Sequence, residues 1–143
     1  MTVLDEDAPD EEDFVVCALL SVMRTAGEMP ANNQDWPFCT VVRVSGDDDP
    51  VAGTDDPVIQ LDFYGKGSTR DESLVAAKTA AKQGHRRMMQ LAKYGDAVTL
   101  SDDSDVSADF ITTVLKPFRM AFEHDLVVRY TARYLVGLSY VTD

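Results

Sequence analysis

At 143 residues the chain is long enough to bury a core without disulfide or metal staples, and its length suits one domain. Its 45% hydrophobic and 8% aromatic content is that of a globular protein, and no apolar run reaches the roughly 18 residues that a membrane span requires. The formal net charge of −12 argues against sequence-reading nucleic-acid binding, which needs a cationic footprint to displace counterions; DNA can still pass such a surface without adhering.

The opening residues, "MTVLDEDAPDEEDF", are acidic where a signal peptide is basic, which predicts a cytosolic product. Residues 1–10 read as a loose acidic arm. Asp10 is placed to cap a helix over "EEDFVVCALLSVMRTAG", with Asp13 in its first turn and Gly27 as its stop. That helix is apolar over more than half its circumference, which predicts a position between layers or at an interface. "EMPANNQDWP" reads as a loop, because Pro30 and the Trp36-Pro37 step disfavour helix.

"FCTVVRVSG" (38–46) and "PVIQLDFYG" (57–65) read as strands of a hairpin, with "DDDPVAGTDD" (47–56) as a long acidic turn. In the second strand Ile59, Leu61 and Phe63 share one face, and Val58, Gln60, Asp62 and Tyr64 the other. The spacing then predicts a helix over residues 69–94. Ser68 or Thr69 caps it, Asp71 and Glu72 suit its N-terminal dipole, and Lys93 and Gly95 close it. Leu74, Ala77, Ala81, Gly84, Met88 and Leu91 form one stripe of mostly small residues, which suits close packing on a sheet. "AVTLS" reads as a short strand, and residues 108–123 as an extended segment in which Pro117 marks an edge or a bulge. Residues 125–141 read as a long strand. Seventeen extended residues would span about 56 Å, so part of this strand is expected to bend or project. The fold class is therefore α+β: a single domain with a mostly antiparallel sheet, one long helix packed across it, and an N-terminal helix.

Motifs for chemistry are scarce. "GKGSTR" matches neither the P-loop pattern nor GxGxxG, since no glycine precedes Gly65 at the P-loop spacing and Arg70 stands where the third fingerprint glycine belongs. It reads as a strand-to-helix turn with a cap. His85 reads as a solvated or partly packed side chain and His124 as structural, and no GxSxG motif supports triad catalysis. The Asp clusters do not follow the EF-hand loop. Cys17 and Cys39 lack CxxC spacing and read as buried thiols. No catalytic, cofactor or metal residue is assigned, and no enzymatic activity is expected.

Charge is uneven along the chain. Residues 1–13 carry seven acids and no base, and residues 47–56 and 96–109 carry five acids each. The bases fall on the long helix (Arg70, Lys78, Lys82, Arg86, Arg87, Lys93) and near the C-terminus (Lys116, Arg119, Arg129, Arg133). Such sign separation can guide head-to-tail self-association. Arg129 and Arg133 alternate on one strand face and, with Arg43 and Arg119, are expected to form a basic stripe. Trp36, Arg43, Phe118, Arg119, Arg129 and Arg133 are the candidate interface residues.

Three stretches carry a family resemblance. "VIQLDFYGKG" with "TRDESLVAAKTAAKQGHRRMMQLA", "VVRYTARYLVGLSYV", and "WPFCTVVRV" together cover most of residues 36–141. In this order they resemble the strand-then-helix core, closing strand and first strand of the tail terminator proteins of long-tailed bacteriophages. The resemblance implies a virion protein at the tail–neck junction, assembled in the host cytoplasm. It would be a subunit of a hexameric ring that caps the tail tube, ends tube growth and joins tail to head. Its implied partners are further copies of itself, the tail tube protein and a head–tail connector or neck protein, with DNA passing through the lumen unbound and no membrane contact. It implies no cofactor. A head-completion or connector protein, and a small cellular ligand-binding domain, stay open as alternatives.

Overall fold

The computed structural model describes residues 6–7, 9–49, 51, 53–139 and 141–142. Eleven elements follow in order: β1 (Glu6–Asp7), α1 (Glu11–Leu19), β2 (Arg24–Ala26), β3 (Phe38–Asp49), β4 (Thr54–Lys66), α2 (Arg70–Tyr94), β5 (Val98–Thr99), β6 (Asp105–Val106), β7 (Phe110–Met120), β8 (Val127–Ser139) and β9 (Val141–Thr142). The class is α+β. The main sheet has the order β2-β3-β4-β8-β7, in which β2 runs parallel to β3 and every other pairing is antiparallel.

Local signals account for α2. Thr69 accepts a hydrogen bond from the Glu72 amide, Asp71 and Glu72 occupy the positive end of the helix, and Gly95 ends it in the left-handed conformation at φ 62°. Its buried residues are Ser73, Ala77, Ala80, Ala81, Gly84, Met88 and Leu91, whereas Leu74, expected in that stripe, is only half-buried. The small residues permit close approach at two points. A Cβ on Gly84 would lie 2.5 Å from Cζ of Phe63, and a Cβ on Gly65 of β4 would lie 2.6 Å from the backbone Cα of Ala77. Phe14, Val15, Ala18 and Leu19 of α1 join Ile59, Leu61, Phe63, Ala132, Tyr134 and Val136 in the buried cluster. Both helices therefore share a core with the same sheet face.

Several boundaries differ from the sequence reading. The first helix does not reach Gly27. It stops at Leu19, and Arg24, Thr25 and Ala26 leave it to pair with Phe38, Cys39 and Thr40. An edge of β3 offers these residues backbone partners, which their helical periodicity does not reveal. The acidic turn is shorter than expected: pairing continues through Asp47, Asp48 and Asp49 to Thr54, Asp55 and Asp56. The long C-terminal strand ends at Ser139, and Val141–Thr142 pairs with Glu6–Asp7 in a separate two-stranded sheet. Residues 6–7 of the expected loose arm are thus paired strand, while residues 1–5 and 8 lie outside the described residues. Pro117 sits on edge strand β7, within the second of two register shifts, the site expected of a proline that cannot donate to a ladder.

Candidate assembly surfaces

The Gly65 to Thr69 turn has the outline of a phosphate cradle, but its amides are engaged within the chain. Gly67 N–H donates to Ser73 Oγ at 2.9 Å, and Ser68 N–H donates to Glu72 Oε2 at 2.8 Å. Glu72 N–H in turn donates to Thr69 Oγ1 at 3.2 Å, so a carboxylate of the chain itself occupies the helix N-terminus. Gly65 serves close packing against Ala77. Among the described residues, no three His, Cys, Asp or Glu side chains converge to hold a metal ion.

His124 has a turn-forming role: its Nδ1 accepts from the amides of Leu126 and Val127 at 3.1 and 3.2 Å. Its carbonyl, with that of Val127, receives Arg70. His85 stacks on Tyr134, with Nδ1 2.7 Å from the phenol oxygen. Burial, and then the nearby Lys116, hold the His85 imidazole below its ordinary pKa, while burial pushes the Tyr134 phenol up. Burial likewise raises the Cys39 thiol well above its usual range, so this cysteine is a poor nucleophile.

The four arginines of the expected stripe do not share a face. Cross-strand partners point the same way, and Arg43 pairs with Ile59 while Arg119 pairs with Tyr130, which places both on the helix-bearing side. Arg133 pairs with Gln60 and Arg129 with Tyr64, on the opposite side. Arg43 acts as an internal clamp. Its Nη1 lies 3.4 Å from Glu11 of α1 and 3.2 Å from the buried Asp55, and its amide donates to Glu12 at 2.7 Å. Burial opposes the Arg43 charge, but Asp55 and Glu11 outweigh it and raise its pKa. Trp36 stands at the far end of the hairpin, with Lys66 Nζ 6.0 Å from its ring centroid.

Among the described residues no helix covers the opposite sheet face, although Phe122 packs over Tyr64 at one end of it, with ring centroids 5.2 Å apart. Along it run Val42, Leu115, Phe118 and Met120, all 39–43% exposed, set by register beside Gln60, Arg133, Thr131 and Arg129. The Phe110 ring lies over Gly137 at one end of this face. A polar ladder crosses its middle: Arg133 Nε donates to Gln60 Oε1 at 3.0 Å, Gln60 Nε2 donates to Asp62 Oδ2 at 3.0 Å, and Thr131 donates to Asp62 Oδ1. Arg129 donates to the Ala121 carbonyl and lies over the Phe122 ring at 5.8 Å, and its buried Nε has no hydrogen-bond partner. Among the described residues neither Arg129 nor Arg133 meets a carboxylate; both salt bridges belong to Arg43. Aromatic, Met and Arg side chains are enriched at protein interfaces, and Phe118, Met120, Arg129 and Arg133 lie in or beside this ladder.

Of the candidate interface residues, this face unites Phe118, Arg129 and Arg133, and leaves out Trp36, Arg43 and Arg119. Sequence reasoning missed Leu115. Strict alternation from Thr112 would put Lys116 beside Phe118, but shifts between Thr113 and Leu115 and between Leu115 and Phe118 bring Leu115 there instead. Lys116 then lines a recess on the helix side with Lys78 and Lys82. The i, i+4 spacing of those two helix lysines was a readable signal; their meeting with Lys116 was not.

Compared with known proteins, the sequence matches no family model and no curated relative.

Proposed function

We propose that this chain acts by assembly and not by catalysis, as the ring subunit of a phage tail terminator that caps the tail tube and joins it to the neck. The observation that carries the assembly reading is the sheet face away from the helices, where exposed Val42, Leu115, Phe118 and Met120 flank two arginines that, among the described residues, have no carboxylate partner. A monomer that left such a face in water would forgo burial worth roughly 25 cal/mol per Å². The finer assignment to a tail terminator is supported by the order of strand, alanine-rich helix and aromatic-rich closing strand, and by the sequence stretches that resemble that family. A long helix packed tightly across the sheet, as the Gly84 and Gly65 approaches suggest, supplies the stiffness that a ring subunit needs. A net charge of −12 suits a lumen through which DNA slides without adhering.

Light scattering and negative-stain imaging across protein concentration, alone and with tail-tube ends, test this proposal. A closed ring, six-fold on the terminator reading, that loosens as salt screens its charged contacts is the expected result. A chain that stays monomeric at high concentration and low salt, with and without tube ends, overturns it. Tight binding of the assembled protein to duplex DNA at low salt would contradict the acidic lumen. A ring located at the portal and not at the tube end would reassign the chain to the connector proteins.

A further inference from the structure

Lys78, Lys82 and His85 follow one another at spacings of four and three on α2, so they stand on one flank of the helix. The displaced register of β7 turns Lys116 toward them, and with Pro117 and Tyr130 they line a recess of ≈ 190 Å³. Its lining holds three ammonium groups and no carboxylate, in a chain of net charge −12. Among the described residues none of the three lysines has an ion-pair or hydrogen-bond partner. Lys78 and Lys82, one helical turn apart, repel each other. Among the described residues no carboxylate lines the recess to relieve this.

Residues of the opposite charge lie at the other end of the sheet. The β3–β4 register sets Asp47 opposite Asp56, Asp48 opposite Asp55 and Asp49 opposite Thr54, so this end of the hairpin is acidic on both strands. Strand β8 measures the separation between the two ends. Tyr130, at the recess, and Ser139, which pairs with Thr54 beside the acidic segment, are nine residues apart on it, or about 30 Å. The acidic segment of one protomer therefore cannot reach its own recess. Two different patches at opposite ends of one molecule make a heterologous contact, the kind that closes into a ring when the rotation allows.

We propose that the recess of Lys78, Lys82 and Lys116 receives the acidic end of the β3–β4 hairpin, Asp47, Asp48, Asp49 and Asp56, from a second copy of this chain, head to tail. The apolar floor of Pro117 and Tyr130 packs beneath the incoming strand end, and the ammonium groups meet its carboxylates. This inference rests on the assembly reading above and assigns one contact within it.

Charge exchange in the full-length chain tests it. One variant carries Lys82→Glu with Lys116→Glu, a second carries Asp48→Lys with Asp49→Lys, and thermal melts establish that both fold. In sedimentation velocity at low salt, each variant alone is expected to self-associate at least about tenfold more weakly than the unaltered chain. An equimolar mixture of the two, and the chain carrying all four substitutions, are expected to recover association. A control with the same change in net charge as the first variant, Arg24→Glu with Lys93→Glu, is expected to associate normally. The recess assignment is overturned, and the assembly reading kept, if the unaltered chain associates and the reversed variants do so equally well. It is also overturned if the control weakens association as much, or if neither mixture nor fourfold variant recovers it. An unaltered chain that never associates overturns both.

Discussion

Gly84 sets two measurable effects against each other. In the middle of a helix alanine is favoured over glycine by about 1 kcal/mol, so Gly84→Ala on an open helix face would stabilise the protein. Here the added Cβ would lie 2.5 Å from Cζ of Phe63, a separation that real Cβ atoms essentially never show. Phe63 is fully buried and paired with Cys39 on one side and Tyr130 on the other. Overpacking of this kind typically costs about 1–3 kcal/mol, so the net effect of Gly84→Ala is a loss of about 0–2 kcal/mol. Gly84→Val, which adds two methyl groups beyond alanine and forfeits most of the helix-propensity gain, is expected to lose more than about 2 kcal/mol. Urea unfolding gives both values from the midpoint and slope. Shrinking the partner is the internal check: Gly84→Ala combined with Phe63→Leu should be less destabilised than the sum of the single variants, by about 1 kcal/mol. A Gly84→Ala chain that gains the full kilocalorie would refute the close approach, and with it the explanation for the small-residue stripe of α2.

Three further outcomes are expected. Arg43→Met removes the cation that bridges Glu11 and the buried Asp55 and should cost about 3 kcal/mol in urea unfolding; a loss below about 0.5 kcal/mol would show that the clamp contributes little. Because the His85 pKa is lowered in the fold by burial and by Lys116, the unfolded chain takes up the proton first. The His85 contribution is therefore present above an unfolded-state pKa of about 6.5 and is lost as pH falls from there toward the lower folded value. His85→Gln, which keeps a polar side chain facing Tyr134, Tyr130 and the three lysines, should flatten the stability slope in that window, and an unchanged slope would contradict the assignment. Phe118→Glu and Arg133→Glu, on the sheet face away from the helices, should each lower the oligomer mass measured by light scattering in a chain that still unfolds cooperatively, with Arg133→Glu also losing about 1 kcal/mol for its hydrogen bond to Gln60; unchanged assembly in both would remove that face from the interface.

What could be read directly from the sequence was local. The cap at Thr69, the stop at Gly95 and the stripe through Ala77, Ala81, Gly84, Met88 and Leu91 lie within a few residues of the backbone groups they serve, so α2 was legible to within a residue. The alternation of Ile59, Leu61 and Phe63 likewise marked the buried face of β4, because side chains on a strand change sides at every residue. Tertiary structure decided whatever depended on a distant partner. Residues 24–26 continue a helical pattern, yet they are strand because an edge of β3 was open to them. Arg43 and Arg133 look alike in sequence and face opposite ways in the sheet. Two shifts in β7 exchanged Leu115 and Lys116 between faces, which created the apolar surface on one side and the cationic recess on the other. A helix carries its hydrogen-bond partners within its own segment. A strand borrows them from elsewhere in the chain, and a one-residue slip in that borrowing turns a side chain from one face to the other.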